Sequence, residues 1–201
     1  MPNPYPANFT KASLLVPESR IIAGLLLQDL PSAEWKRQTL DENILQRRTK
    51  NSAQTAASLI KSRLMTMERE LWEFIHTGSK ELATQAVLAA TVKFSPLLGD
   101  YLQYVYQRER KQFADHLRQS SWDLFIDDCH NRIPGLPVRT ESTQAKLKQN
   151  AFRIMAEAGL IDNTKDMTIR HLALVPELKR YLVRKQEKYV LRCLLPEGRN
   201  V

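Results

Sequence analysis

Apolar residues recur every three or four positions along most of the first 133 residues of this chain. That spacing places them on one face of an α-helix. The first stripe comprises Ile21, Ile22, Leu25 and Leu26, and Pro17 is well placed ahead of it as the first helical residue. The first dozen residues contain three prolines, so they are expected to form an extended arm.

Five further helices are expected before residue 133. The residues that begin or centre them are, in chain order, Ser32, Ser52, Ser79, Pro96 and Trp122. The helix capped by Ser52 is the longest, and Gly78 is a natural C-terminal stop for it. Its inward positions are Ile60, Leu64, Met67, Leu71, Phe74 and Ile75.

The sequence Ile-Pro-Gly-Leu-Pro-Val at 133–138 interrupts the helical pattern, and we place a domain boundary there. Beyond it we expect, in order, a helix capped by Thr140 or Ser142 and ended by Gly159, a strand at 167–174, a short basic helix at 176–188 and a strand at 189–195. A helical core followed by strands is the order of a winged-helix domain.

The predicted fold class is therefore mainly α. Residues 1–133 are expected to form an N-terminal helical bundle with a helix-turn-helix-like element. Residues 134–201 are expected to form a small α/β domain, winged-helix-like and basic.

The chain is strongly basic, with a formal net charge of +8 and a pI near 9.6. Residues 136–201 carry thirteen Lys or Arg against seven Asp or Glu, whereas residues 79–135 carry seven of each. This balance favours a phosphate-rich partner. Nonspecific attraction to anionic surfaces is the alternative explanation of such a composition.

The location predicted from the sequence is the cytoplasm. Cys129 and Cys193 are isolated, as reduced thiols usually are, and the opening residues lack the charged and apolar regions of a secretory signal. The longest apolar run, residues 21–27, is far shorter than the roughly 20 residues that span a bilayer. We therefore expect a soluble protein that does not enter the membrane.

Residues 43–67 carry five basic side chains and no carboxylate. Cations neutralise phosphates, and short polar side chains donate hydrogen bonds to phosphate oxygens or to base edges. The helix containing Trp35, the connection at 43–51 and the next helix form a helix-turn-helix-like layout with a long turn. The candidate DNA-binding residues here are Arg47, Arg48, Lys50, Gln54, Ser58 and Lys61.

The C-terminal third offers a second candidate face. Lys146, Gln149, Asn150 and Arg153 are expected to lie together, away from the core side of their helix. Gln and Asn can pair with adenine, and Arg with guanine, so this face has the chemistry to read sequence. A basic cluster suited to phosphates follows at Lys179, Arg180, Arg184 and Lys185. The alternative for each face is a solvated amphipathic helix.

The sequence contains no residue pattern typical of a catalytic site, and we predict neither an enzyme nor a bound cofactor or metal. The four histidines are scattered, and no Cys-x-x-Cys, His-x-x-x-His or glycine-rich phosphate loop occurs. The sequence also predicts an aromatic–basic surface, in which Tyr104 is exposed beside Arg108, Arg110 and Lys111, with Tyr101 in the core.

Several segments, taken in order, resemble the A protein family of bacteriophage-exclusion (BREX) defence systems. They are Ser-Leu-Leu-Val at 13–16, Glu-Ser-Arg-Ile-Ile-Ala at 18–23, Trp35, Asn-Ile-Leu-Gln-Arg-Arg at 43–48, Arg-Leu at 63–64, Leu-Trp at 71–72, Gln-Ala-Val-Leu-Ala-Ala at 85–90, Leu-Leu-Gly-Asp at 97–100, Trp122, Ser-Thr at 142–143, Lys-Leu at 146–147 and Ala-Glu-Ala-Gly at 156–159. The resemblance covers nearly the whole chain. It implies a helical, DNA-binding, non-enzymatic component of a phage-resistance system, whose companions would include a methyltransferase, an AAA+ protein and a phosphatase-like protein.

The functional prediction is an accessory protein of phage defence that binds duplex DNA mainly through phosphate contacts. Other BREX proteins are the further partners that the resemblance implies. Two alternatives stay open: an adaptor that assembles the defence complex through its basic ends, and an RNA-binding helical protein.

Overall fold

A computed structural model describes residues 3–196 and contains helices but no strand within that range. The helices are α1 (Val16–Leu27), α2 (Ser32–Lys36), α3 (Lys50–Leu64), α4 (Arg69–Thr77), α5 (Lys80–Phe94), α6 (Pro96–Tyr101), α7 (Gln107–Lys111), α8 (Ser120–Arg132), α9 (Glu141–Glu157), α10 (Pro176–Arg184) and α11 (Lys188–Leu194). Two π-helical turns, Arg37–Asp41 and Leu102–Tyr106, follow α2 and α6. The mainly α prediction is confirmed.

The chain forms two compact units, and each is interleaved in sequence with the other. The first unit consists of Leu15–Phe94 and Val175–Tyr181. The second unit consists of Ser95–Leu174 with the described residues before Leu15 and after Tyr181. The predicted division at residue 133 falls within Ser95–Leu174, and it stays a prediction about independent folding.

In the first unit, α1 packs against α3, α4 and α5. Small residues permit this close packing: a Cβ on Gly24 would lie 2.6 Å from the His76 ring. The returning segment completes the unit, because Tyr181 packs edge-on against Phe74, with ring centroids 5.8 Å apart. The Val175 amide also donates to Gln85 Oε1 at 2.8 Å.

The second unit has an aromatic core around Trp122. Tyr101 lies 4.9 Å from Trp122 and 6.2 Å from Phe152 between ring centroids, and Phe9 packs edge-on at 6.3 Å from Trp122. Phe9 belongs to the segment predicted as an extended arm. That segment instead contains turns and contributes buried side chains to the unit.

One carboxylate joins distant parts of the second unit. Asp100 accepts hydrogen bonds from the Tyr5 hydroxyl at 2.6 Å and from the Tyr189 hydroxyl at 2.8 Å. Gly99 lets Tyr189 approach, since a Cβ there would lie 2.2 Å from the Tyr189 oxygen. The N-terminal segment, α6 and α11 are therefore held at one point.

The winged-helix prediction is wrong, because the C-terminal region contains no sheet among the described residues. The predicted strand at 189–195 is helix α11, whose Val190, Cys193 and Leu194 are buried. A short apolar run fits a buried helix as well as a buried strand, and spacing alone does not separate them. The predicted strand at 167–174 makes only two isolated bridges, His116 with Thr168 and Ile161 with Ile169.

Two other boundaries differ from the sequence prediction. The long helix expected from Ser52 to Gly78 is two helices, α3 and α4, separated by a turn in which the Met67 amide donates to Leu64 O at 2.9 Å. Both helices keep their inward apolar stripes. The regular apolar spacing across the turn therefore does not show that the helix is continuous. The helix predicted at 176–188 ends at Arg184.

Candidate nucleic-acid interface

The N-terminus of α3 is fixed by a capping box one turn earlier than predicted. Thr49 is the N-cap, its hydroxyl accepts from the Ser52 amide at 3.1 Å, and the Ser52 hydroxyl in turn accepts from the Thr49 amide. The helix therefore begins at Lys50, and the basic residues around it acquire defined places.

Two of these basic residues pair with acids outside the carboxylate-free stretch. Arg47 is half-buried and lies 2.7 Å from Glu18 Oε1. Lys50 Nζ lies 3.0 Å from Asp41 Oδ1, and both of those side chains are well exposed. Arg48 is exposed and makes no ion pair within residues 3–196. Arg48 is thus the more available cation of the neighbouring pair.

The outer face of α3 matches the predicted face. Gln54, Ser58 and Lys61 are exposed, one turn apart along the helix, whereas Arg63 is only 1% exposed. Lys61 is stacked over the Trp35 ring of α2, with Nζ 4.3 Å from the ring centroid. This contact joins α2 to the outer face of α3.

Three of the four residues predicted to share a face of α9 are exposed, and the fourth is buried. Lys146, Gln149 and Arg153 are exposed, and their side chains make no hydrogen bond or ion pair within the part of the chain that the structure describes. Asn150 is 8% exposed, and its amide donates to Phe9 O at 2.9 Å. The predicted face needs Asn150 outside, but the N-terminal segment packs on that side of α9.

The α10 cluster lies on an amphipathic helix. Lys179, Arg180 and Arg184 are exposed, and Lys185, just past the helix end, is partly exposed. Leu178 is buried on the opposite side. These cations add positive charge to the surface without the short polar side chains that α3 and α9 carry.

The sequence interpretation did not single out Arg118, which lines a cleft in the second unit together with Tyr104 and Arg108. Tyr104 is exposed and Tyr101 is buried, as expected for the aromatic–basic surface. Arg118 has no local pattern that marks it, because it belongs to an irregular segment before α8 and joins the cleft only through the fold.

No group of three metal-ligating side chains comes together within residues 3–196. Both cysteines are buried as free thiols. Burial raises the pKa of the Cys193 thiol to about 12 and also raises that of Cys129. Thiolate chemistry is therefore suppressed at both positions near neutral pH.

Within the same range, no single helix is long and apolar enough to cross a membrane. One bent pair of helices among the described residues, Lys80–Phe94 and Pro96–Lys111, reaches the required length and composition together.

The fold and its surface define a helical protein with exposed basic helix faces. The model of the BrxA family matches residues 3–186. The chain is 40% identical over 190 residues to the BREX protein BrxA of Paramagnetospirillum magneticum, covering 94% of this chain and 96% of that protein. It is 32% identical over 187 residues to the BREX protein BrxA of Escherichia coli O9:H4 strain HS, covering 93% of this chain and 87% of that protein.

A crystal structure of an uncharacterized protein from Magnetospirillum magneticum has the same fold, with a TM-score of 0.88 at 39% identity, covering 96% of this chain and 99% of that one. The chain belongs to the BrxA family of BREX phage-defence systems. The resemblance seen in the sequence is thereby confirmed, and the names of these relatives state no enzymatic activity.

Proposed function

We propose that this protein is a non-enzymatic DNA-binding component of its defence system, which holds duplex DNA mainly through phosphate contacts. The observation that carries the proposal is the outer face of α9. There Lys146, Gln149 and Arg153 are exposed with no partner within residues 3–196. A cation engaged in no ion pair gives up no internal contact when it meets a phosphate.

The outer face of α3 supports the same proposal. Gln54 and Ser58 supply polar groups next to the cations Arg48 and Lys61, and no carboxylate occurs between residues 43 and 67. The helix-turn-helix interpretation belongs here: α3 takes the place of the helix that enters the major groove, and α2 the place of its support. Arg47 is the weakest candidate, because Glu18 already neutralises it.

The direct test is duplex DNA binding by the full chain, measured by fluorescence anisotropy over a salt series. We expect the logarithm of the affinity to fall linearly with the logarithm of salt concentration. The double variant Lys146→Gln/Arg153→Gln should make that slope shallower by about two, because each phosphate contact adds about one. A flat salt dependence would contradict the proposal.

The matched control is Lys165→Gln, which removes another exposed cation of the second unit from outside the proposed face. It should leave both affinity and slope close to those of the parent. If the control weakens binding as much per charge as the α9 variant does, the α9 face is not the contact. Arg48→Gln tests the α3 face in the same assay, and an RNA duplex run beside the DNA distinguishes the two nucleic acids.

A protein-assembly adaptor is the second candidate, and exposed apolar side chains favour it. Met65 at the end of α3 is 56% exposed, and Val138 is 86% exposed. Contiguous exposed apolar patches mark protein contacts, and these two side chains are positions at which such a contact can be tested. Phage defence in cells separates the two candidates. The adaptor would be favoured if a Lys146→Gln/Arg153→Gln variant that no longer binds DNA still protects the cells, whereas a Val138→Asp variant does not.

A further inference from the structure

A cleft of about 550 Å³ opens in the second unit between the π-helical turn at Leu102–Tyr106, helix α7 and the start of α8. This volume lies within the range of sites that bind small molecules and cofactors. The residues that line it and matter here are Tyr104, Arg108, Gln112, Arg118, Ser121 and Leu124. None of them belongs to the faces proposed above for duplex DNA.

The cleft combines an aromatic wall with cations. Tyr104 is 48% exposed and Leu124 is 66% exposed, so solvent reaches two large apolar surfaces. The Arg132 guanidinium stands over the Tyr104 ring, 5.9 Å from its centroid. Base stacking on an aromatic ring beside arginines is the usual way in which proteins hold unpaired nucleotides.

The carboxylates of the cleft are already paired. Asp128 lies 2.7 Å from Arg132, and Glu109 lies 3.4 Å from Arg108. The Arg118 side chain has no such partner among residues 3–196. The cleft and its rim therefore have a surplus of one cation, at a position open to an incoming phosphate.

The backbone around the cleft is irregular at two points. Tyr104 lies in a π-helical turn, a conformation that often occurs at functional sites. Phe113, directly after the cleft residue Gln112, has a positive φ of 56° and is 86% exposed. An exposed phenylalanine in the left-handed region is unfavourable both in conformation and in hydration. The π-helical turn buries Leu102, Val105 and Tyr106 while it leaves Tyr104 exposed, and the exposed Phe113 ring adds little to packing within the unit.

We propose that this cleft receives an unpaired nucleobase, which stacks on Tyr104 with Phe113 at its edge while Arg118 holds the adjoining phosphate. The inference rests on the proposed binding of nucleic acid, but it concerns single-stranded or unpaired nucleotides and a different surface. It predicts a preference for strands that have bases over strands that have only the backbone.

The test is anisotropy with a labelled oligo-dT strand, an abasic strand of the same length and a duplex, all with the full chain. Tyr104→Ala should weaken oligo-dT binding about 5- to 150-fold, the range measured for loss of one stacking partner. Tyr104→Phe keeps the ring and should bind like the parent. Val138→Ala, which removes exposed apolar surface outside the cleft, should also have no effect.

The abasic strand separates stacking from charge. Tyr104→Ala should leave its affinity unchanged, whereas Arg118→Gln should weaken both strands and Arg118→Lys should restore them. Phe113→Asn should weaken oligo-dT binding without unfolding the protein, because Asn tolerates the left-handed backbone.

Equal oligo-dT affinity in the parent and in Tyr104→Ala overturns the inference and leaves the cleft to a protein partner. Equal weakening of dT and abasic strands by Tyr104→Ala also overturns it, since no base would be involved. Failure of the two proposals is distinguishable. A parent protein that binds oligo-dT but shows no salt-dependent duplex binding would contradict the proposed function alone, whereas salt-dependent duplex binding together with unchanged oligo-dT binding in Tyr104→Ala would contradict this inference alone.

Discussion

Phe113 occupies a backbone conformation in which glycine is normally found. It follows the C-terminal residues of α7, has a φ of 56°, and exposes 86% of its surface. A left-handed conformation costs a residue with a side chain about 1–2 kcal/mol. Phe113→Gly should therefore raise the free energy of unfolding by about 0.5–1 kcal/mol, after the entropy of glycine in the unfolded chain is deducted. Urea denaturation measures the change.

Phe113→Ala is the matched control for that variant. It removes the same ring but keeps a Cβ in the left-handed region, so the free energy of unfolding should stay within about 0.5 kcal/mol of the parent. A Phe113→Gly protein less stable than the parent would show that the ring packs against the protein after all.

Arg47 shows how far a single residue can be interpreted from sequence. The absence of carboxylates between residues 43 and 67 predicted that Arg47 is a phosphate ligand, yet its guanidinium lies 2.7 Å from Glu18. Glu18 is 29 positions away in the chain, so no local pattern shows the pairing. Whether Arg47 also meets DNA stays a prediction.

Helix α9 places two adjacent polar residues in opposite environments. Gln149 is exposed, whereas Asn150 is buried and donates to Phe9 O at 2.9 Å. Asn150→Ala should lower the free energy of unfolding by about 1–2 kcal/mol, because a buried carbonyl loses its donor. Gln149→Ala should leave stability unchanged within about 0.5 kcal/mol. Urea denaturation of both variants checks this.

The effects of the same two substitutions on DNA binding should have the opposite order. If Gln149 contributes to base contacts, Gln149→Ala should reduce the preference among duplex sequences, whereas Asn150→Ala should act only through folding. Equal loss of stability in both variants would contradict the position that the structure gives to Asn150.

Periodicity predicted the first helices well, but their ends less well. The inward stripe of α3 and α4 runs across the turn between them, and it gave one helix where there are two. The error has a physical cause: both helices bury their stripes in the same unit, so the apolar spacing continues although the backbone does not. The caps at Thr49 and Thr140 are short-range and were within reach of sequence.

At the scale of the whole molecule, both units are built from separated stretches of chain. Phe9 packs on Trp122, and Phe152 packs on Tyr101, so α9 and the N-terminal segment complete one core. A fragment of residues 1–133 lacks Phe152 and all of α9. We expect it to lose cooperative unfolding in residues 95–133, with fast amide hydrogen exchange there, compared with the full chain.

The exchange measurement on this fragment also tests the predicted domain boundary at residue 133. Exchange protection in residues 95–133 equal to that of the full chain would support independent folding on each side of residue 133. Loss of protection there would support the interleaved units instead.

By itself, the sequence determined the helical class, the family resemblance, and where cations gather, because these depend on local spacing, order and composition. Only the tertiary structure decided that residues 189–195 are helical, that Asn150 faces inward, that Arg47 is paired, and that Arg118 joins Tyr104 in a cleft. The reason is physical. Whether a short apolar run becomes helix or strand, and whether a polar side chain is buried, depends on the surfaces that pack against it. Those surfaces come from parts of the chain that are far away in sequence.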